Sequence, residues 1–600
     1  MNVLTKNTMD YILNYKENSN VHNCAVEFSK DGKKIVKITR DNKKVYIGSK
    51  YNVHRDIDIL LSKLKNINSQ KLIIIFGLGA GEHIKSLLER LEYENKVLII
   101  EPCAEIIKEF LNSKYSKDML EDKRVYLVYF NKYVKDVLSN FINPINAYNL
   151  SIVVFANYDR IFIEQYRNFV KTLKEVRNSV IVDLATALKL SKQFFYSFIK
   201  NIPHMSKSIS VNKFKNLYNG MPSIVVSSGP SLEKNINQLK ELQKYFIIIS
   251  GLRNLKGLLD IGVTPDFVCV IDAMEINYSF IKDYLNLDIP MVFYENSNSK
   301  VIKNYNGPKI LYVSDKKLCK LLNDDVDVLY QGGSVAHICT SFATYIGCNP
   351  IIFIGQDLAY TGDKFHANSA SNSSFKDISI PENINEDYIW TKDIYGNKVK
   401  TSAVFNSFRT RLEDFINLRN DVTFINSTEG GANIQGTKVI DLKTSGRVYK
   451  KVEKDRSLIK NIFNDKNNKF DPQKIKTELV KNMENIEYML KYIQKFKVDI
   501  NNLSLYYKGN KSINIARTMD RLDRFDDFIS KKCDDFFLIN NLLNPVVLTV
   551  MSSKEFMLSE NDDEQIKGKK IAAKYKLLCD NILKEINTAL PLFEKCIKSF

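Results

Sequence analysis

Four places in the sequence hold residue types that bind phosphates or accept hydroxyl hydrogen bonds. They are Ser228, Gly229, Pro230 and Ser231; Asp272; Gly332, Gly333 and Ser334; and Gln356 with Asp357. A glycine lets the backbone approach a ligand closely, and a proline suits the first position of a helix. The free N–H groups at a helix start hold anions, to which Ser231 would add a hydroxyl donor. The plain alternative for 229–231 is a helix start with a serine cap, and Asp272 could equally cap the helix that follows it. A fifth stretch, 428–436, contains Glu429 and Gly430. It reads either as a turn against a sheet or as a nest of N–H groups facing phosphates.

The elements that position these residues are legible around them. Apolar runs at 223–228, 245–250, 267–271, 290–294, 309–313, 327–330 and 351–354 read as buried strands separated by helical stretches. That alternation predicts a mostly parallel, doubly wound α/β sheet, which binds ligands beyond the carboxyl ends of its strands. Ser228 to Ser231, Asp272, Gly332 to Ser334, and Gln356 with Asp357 all fall at such ends. From 362 to 388 the chain turns polar, which suggests a lid or binding loop. Residues 394–399 read as a hairpin with a two-residue turn. These signals define a central domain at 201–445.

The first region, 1–200, carries its own α/β signal and reads as a Rossmann-like domain. The run 72–76 is a strand, Gly77, Gly79 and Gly81 make a turn, and Ile84, Leu87, Leu88 and Leu91 share a helix face. A second strand at 97–100 leads to Glu101, 22 residues past Gly79. That is where a ribose-binding carboxylate sits in nucleotide-binding βαβ units. The third glycine comes one residue early for that fingerprint, and a tight turn that binds nothing accounts for the same glycines. The last region, 446–600, reads as helical. Beyond Pro472, the residues Leu479, Met483, Ile486, Leu490 and Ile493 step by alternating fours and threes, the stripe of a bundle core.

Composition sets the outer bounds. The 600 residues allow two to four domains, and 44% hydrophobic with 26% charged residues is the make-up of a globular protein. The formal charge of +18 permits an acidic partner without selecting one, and over-used lysine accounts for much of it. Nine scattered cysteines without a C-x-x-C pair speak against a disulfide framework or a zinc site and fit a reducing cytosol. No signal pattern opens the chain. Apolar runs reach only about ten residues, against about 20 for a membrane helix. A soluble cytoplasmic protein is expected, with no membrane insertion and no nucleic-acid partner.

Five ordered motifs end the anonymity: Ser-Gly-Pro-Ser-Leu at 228–232, Gly-Val-Thr-Pro-Asp-Phe at 262–267, Gly-Gly-Ser-Val-Ala-His at 332–337, Gly-Gln-Asp-Leu-Ala-Tyr-Thr at 355–361 and Asn-Ser-Thr-Glu-Gly-Gly-Ala at 426–432. Together they resemble the motility-associated factor (Maf) family of flagellin nonulosonic-acid transferases. That family has a central domain similar to bacterial sialyltransferases that use CMP-activated sugars. The resemblance implies a glycosyltransferase moving a pseudaminic- or legionaminic-type acid from its CMP ester to Ser or Thr of flagellin, in support of motility. With the strand-end reading it puts Ser228, Gly229, Pro230, Ser231, Asp272, Gly333, Ser334, Gln356 and Thr361 around the donor, with Asp357 holding sugar or ribose hydroxyls. Glu429 and Gly430 join this set through the nest reading, since their match says only that they belong to the domain. His366, nine residues past Asp357, is implied as the base, although the sialyltransferases carry theirs at a larger spacing. His337 is the rival, with a structural histidine as its default. Ser228 stands where those enzymes have Asn.

No cofactor is required on this reading. Magnesium can assist the phosphate, and the acidic residues Asp324, Asp325 and Asp327 read as a solvated turn rather than a metal site. A homo-oligomer is compatible with the helical region. Two other functions share the motifs. An ATP-dependent pterin-type pyrophosphokinase would use the same Gly-Pro-Ser-Leu site, and a flagellin-binding scaffold would carry a degenerate core. A methyltransferase acting through Gly77 to Glu101 stands last.

Overall fold

The computed structural model describes residues 2–13, 21–40, 43–64, 67, 71–91, 95–113, 116–131, 133–360, 367, 388–465, 468–509, 513–558 and 562–600. The chain divides into two compact units. One comprises 1–185, 497–522 and 546–580; the other comprises 186–496, 523–545 and 581–600. Segments of the helical region 446–600 are thus found in both. Among the described residues no helix is long and apolar enough to cross a membrane.

The first unit contains an antiparallel meander of β1 (Val21–Phe28), β2 (Lys34–Arg40) and β3 (Lys43–Ile47), which the sequence reading did not anticipate. Its parallel sheet has β4 (Leu72–Phe76), β5 (Lys96–Glu101), β6 (Val125–Tyr129) and β7 (Leu150–Val154) in the order β6-β5-β4-β7. All five residues of β4 are buried, as a continuous apolar run requires when both faces are covered. Ile163–Met205 forms one long helix.

The second unit is built on a nine-stranded sheet. Its strands are β8 (Ile209–Ser210), β9 (Ser223–Val226), β10 (Ile247–Gly251), β11 (Phe267–Val270), β12 (Met291–Phe293), β13 (Lys309–Leu311), β14 (Ile351–Ile354), β17 (Phe424–Asn426) and β18 (Lys438–Val439). The order is β18-β17-β14-β9-β10-β11-β12-β13-β8, and every pairing is parallel. From β9 the chain builds outward through β10 to β13 on one side, and returns to β9's other flank with β14. The gap between β9 and β14 is therefore the topological switch point, where such sheets open a crevice.

Two expected elements differ. The strand expected at 327–330 is only an isolated bridge between Val313 and Val328. The hairpin exists as β15 (Ile389–Lys392) paired with β16 (Lys398–Thr401), but its turn spans 393–397 rather than two residues. Asp393 holds that longer turn by accepting from the N–H groups of Tyr395 and Asn397. In the helix Pro472–Tyr507, Leu479, Ile486 and Ile493 are fully buried, as a bundle-core stripe requires.

Candidate functional site

One cavity of about 240 Å³ opens at the switch point. Its walls come from the carboxyl ends of four strands: Ser228 and Gly229 after β9, Arg253 and Asn254 after β10, Asp272 after β11, and Gln356 and Asp357 after β14. Ser334, Val335 and Ala336 complete it. Residues 129 positions apart in sequence meet because a parallel sheet gathers all its carboxyl ends on one edge; Ser227 Oγ donates to Gln356 Oε1 across the gap. Asn254 ties β10's loop to β9 by donating to the Val226 carbonyl at 2.9 Å.

Several of the expected residues line this cavity: Ser228, Gly229, Asp272, Ser334, Gln356 and Asp357. Pro230, Ser231, Gly333, Glu429 and Gly430 are not among its lining residues. Thr361 and His366 lie outside the described residues.

Ser231 is placed differently from the expectation. It is 1% exposed, and its backbone N–H and hydroxyl both donate to Asp357, at 3.0 and 2.5 Å. The segment after Gly229 is moreover a five-residue 3-10 turn, Pro230–Lys234, and not the longer helix expected there. Its donors orient a carboxylate instead of awaiting a phosphate. Gly229 is needed because a Cβ there would overlap the Asp357 carboxylate and the Gly355 carbonyl. Gly431, in the left-handed region at φ 79°, packs directly on the Asp357 backbone, and Ala432 N donates to the Asp357 carbonyl at 2.7 Å. The run 428–436 therefore wraps Asp357. Glu429 contributes its carbonyl to Lys234 Nζ at 2.7 Å.

The second glycine turn supplies what the first does not. Gly332 and Gly333 both have positive φ, and the helix Val335–Tyr345 begins after Ser334. Val335 and Ala336, its first two residues, line the cavity, and the first N–H groups of a helix have no intrahelical acceptor. Ser334 does not cap that helix with its side chain. Its Oγ lies 2.6 Å from His337 Nδ1, while His337 Nε2 lies 2.9 Å from the Phe408 carbonyl. Burial holds His337 down at about 4, so the ring is neutral at physiological pH. A carbonyl can only accept, so Nε2 carries the hydrogen and Nδ1 accepts from Ser334. Ser334 is left to present oxygen lone pairs to the cavity.

Asp272 is half-buried on the cavity wall, and burial lifts its carboxyl to about 6 against the opposing pull of Arg253. It is not the cap of the next helix, Ile276–Ile281, which starts after Glu275 with no side-chain cap. Arg253 stacks over the Phe280 ring at 4.9 Å. Sequence reasoning missed this residue, although Gly251, Leu252 and Arg253 follow a buried strand just as the other site residues do. Glu295, at the end of β12, was also missed. It is buried, raised to about 7, and bonded to the Ser314 hydroxyl in a neighbouring polar cavity. The acidic residues at 324–327 do form a charged turn, with Lys316 Nζ 2.6 Å from Asp325 and 3.0 Å from Asp327. Among the described residues no group of three or more His, Cys, Asp and Glu side chains could hold a metal ion.

In the first unit, the Gly77 to Gly81 turn is satisfied from within. Glu101 is fully buried and accepts from Leu78 N at 2.7 Å, Cys103 N at 2.9 Å and the Tyr158 hydroxyl at 2.6 Å. Gly79 N donates to the Tyr158 hydroxyl at 2.8 Å. Tyr158 packs against Gly77, where a Cβ would come within 2.5 Å of its ring. Of the two readings of this turn, the one that binds nothing matches the geometry.

Residues 1–114 match the family model described as the glycosyltransferase Maf N-terminal domain. Residues 196–363 match the model described as 6-hydroxymethylpterin diphosphokinase MptE-like. Among solved structures the chain is similar to the Maf glycosyltransferase from Magnetospirillum magneticum AMB-1. The TM-score is 0.52 at 13% identity, over 99% of this chain and 93% of that one, a likeness of fold. A search of curated proteins returned no match. The first 114 residues thus match a Maf N-terminal domain, and the chain along its length has the fold of a Maf glycosyltransferase.

Proposed function

We propose that this glycosyltransferase moves a nonulosonic acid of the pseudaminic or legionaminic type from its CMP ester to Ser or Thr hydroxyls of flagellin, in the cytoplasm. The observation that carries the reading is the meeting of Arg253, the start of the helix Val335–Tyr345, and Asp272 in one cavity at the switch point. A CMP-activated acidic sugar bears a phosphate and a carboxylate beside several hydroxyls. A guanidinium and a helix start answer the anionic groups, and carboxylates answer the hydroxyls.

In the proposed reaction the acceptor oxygen forms a bond to the anomeric carbon as the bond from that carbon to the phosphate oxygen breaks. The acceptor proton passes to a base, for which we propose His366, and CMP departs with the bonding electron pair. Positive charge develops on the sugar ring in the transition state, so the site's main work is to stabilise the leaving phosphate. Arg253 and the N–H groups of Val335 and Ala336 are suited to that work. Asp357, fixed by Ser231, and Asp272 would hold hydroxyls of the donor. Ser334, with its hydrogen committed to His337, would accept from an N–H or O–H of the donor. No cofactor is needed, and magnesium can add to the phosphate stabilisation.

A ligand panel by thermal shift tests the reading, because a ligand that binds only the folded state raises the melting temperature. CMP and CDP should stabilise the protein, and the stabilisation should shrink in Arg253→Ala. Selective stabilisation by ATP with magnesium would replace this reading with the diphosphokinase chemistry named by the model that matches 196–363. No response to any nucleotide, together with retained flagellin binding, would favour a scaffold.

A further inference from the structure

The nine-stranded sheet also carries a cavity at its other edge. A pocket of about 540 Å³ is lined by Lys207, Lys309, Lys469, Asp288, Asn306 and Phe463, among other residues. Lys309 is the first residue of β13, and Ile209, also in the lining, is the first residue of β8. The pocket therefore sits at strand starts, on the edge opposite the candidate donor cavity. An antiparallel bridge between Lys469 and Ile209 fixes the backbone of that lysine beside β8.

The charges in this lining are unbalanced, with three lysines against the single carboxylate of Asp288. Lys309 is half-buried and gives a hydrogen bond to a neutral group, the Tyr305 carbonyl, at 2.5 Å. Burial and then the charge of Lys207 push its ammonium below the ordinary lysine range. His204 is depressed in the same way by burial and by Lys207, Lys309 and Lys303. These cations are thus close enough to repel one another. Holding like charges around a cavity costs free energy that a bound anion offsets.

The remaining lining is that of a small-molecule pocket. Asn306 Nδ2 donates to Asn286 Oδ1 at 2.6 Å, which sets a pair of amides on one wall. The Phe463 ring is only partly covered, leaning on Phe214 with centroids 5.7 Å apart. The volume lies within the range of about 300–1,000 Å³ common for small-molecule sites, well above the needs of a lone phosphate. Clustered lysine ammoniums suit phosphate as point charges.

We propose that this cavity is a second anion site of the protein. It takes a phosphate-bearing small molecule whose charge lies among Lys207, Lys309 and Lys469 and whose organic part lies along Phe463. The site is separate from the donor cavity and does not depend on the glycosyl-transfer reading.

Calorimetric titration of the full chain with inorganic pyrophosphate and with CDP tests it. Arg253→Ala removes the main cation of the donor cavity, so binding that survives in this variant belongs elsewhere. Pyrophosphate should still bind Arg253→Ala, and the remaining comparisons are made in that background. It should bind at least about tenfold more weakly when Lys207→Glu and Lys469→Glu are combined, both being exposed positions where folding is expected to persist. In the Arg253→Ala background, Phe463→Ala should weaken CDP while leaving pyrophosphate unchanged. Unaltered pyrophosphate binding in the doubly reversed variant, or its complete loss in Arg253→Ala alone, would overturn the site. CDP binding that ignores Phe463→Ala would overturn the place given to the organic part.

Discussion

Ser231 gives both its backbone N–H and its hydroxyl to the carboxylate of Asp357, 126 residues further along the chain. The link joins the turn after β9 to the end of β14 across the switch point and orients the carboxylate of Asp357 at the cavity wall. Ser231 thereby acts as a positioning residue for Asp357, and its contribution to the cavity passes through that carboxylate.

Ser231→Ala removes the hydroxyl from a buried, charge-assisted bond, for which a loss of about 1–3 kcal/mol is expected. Denaturant unfolding reads the loss. The thermal shift given by CMP should shrink in the same variant, since Asp357 gains freedom. An unchanged CMP response with full stability would detach Ser231 from the site.

Arg253→Ala should weaken cytidine nucleotides more than it weakens cytidine. A charged hydrogen bond to phosphate is worth about 1.5–3 kcal/mol, or roughly ten- to 150-fold in affinity. Arg253→Lys should restore part of the loss, because a lysine keeps the charge without the planar fork. Equal losses for nucleotide and nucleoside would show that Arg253 shapes the pocket without touching the phosphate.

The buried carboxyls give stability a definite pH dependence. Asp272 is raised by burial to about 6 from its ordinary 3.8, so the native state binds its proton more tightly than the unfolded chain. Between about pH 4 and 6 the native state holds more protons, and stability falls as pH rises through that window, levelling above it. Asp272→Asn should flatten this part of the curve and leave the variant more stable than the parent at pH 7.5. Glu295 and Glu101, each raised to about 7 from 4.5, should leave a residual decline toward pH 7. Melting temperatures at pH 4.5, 5.5, 6.5 and 7.5 resolve the two contributions.

His337, held at about 4 by burial, should remain neutral from pH 5.5 to 8 and contribute no titration to activity in that range. A histidine NMR titration should show at least two rings that do not respond across it, those of His337 and of His83, which burial holds down at about 3, and one of them should be missing in His337→Phe. His337→Phe would leave the Phe408 carbonyl without its donor, at a cost of about 1–3 kcal/mol. It would also release the Ser334 hydrogen toward the cavity, so nucleotide selectivity should change along with stability.

The turn at Gly77 to Gly81 should bind neither S-adenosylmethionine nor ATP. Its N–H groups at Leu78 and Gly79 are already bonded to Glu101 and Tyr158. Glu101→Ala should destabilise the first unit by about 1–3 kcal/mol or more, since it strands buried donors. A saturable thermal shift with S-adenosylmethionine in the parent protein, lost in Glu101→Ala, would reverse this assignment.

By itself the sequence determined most strands of the central sheet and the edge on which chemistry collects. Buried parallel strands are short apolar runs, and the chain direction states which end is the carboxyl end. Ser228, Asp272, Ser334 and Asp357 could therefore be placed at one edge before any contact was known, and the ordered motifs pointed to the family. What the sequence could not state is where a donor hydrogen goes. Ser231 and Ser334 look alike as hydroxyls after glycine turns, yet one faces Asp357 from behind and the other is committed to His337. Glu101 has the spacing of a ribose ligand, yet Tyr158, 57 residues later, fills that place. Arg253 carries no motif, and only the packing of β10 beside β11 brings it opposite Asp272. Those outcomes depend on partners distant in the chain, and hydrogen bonds and burial are settled by tertiary neighbours that local residue types do not encode.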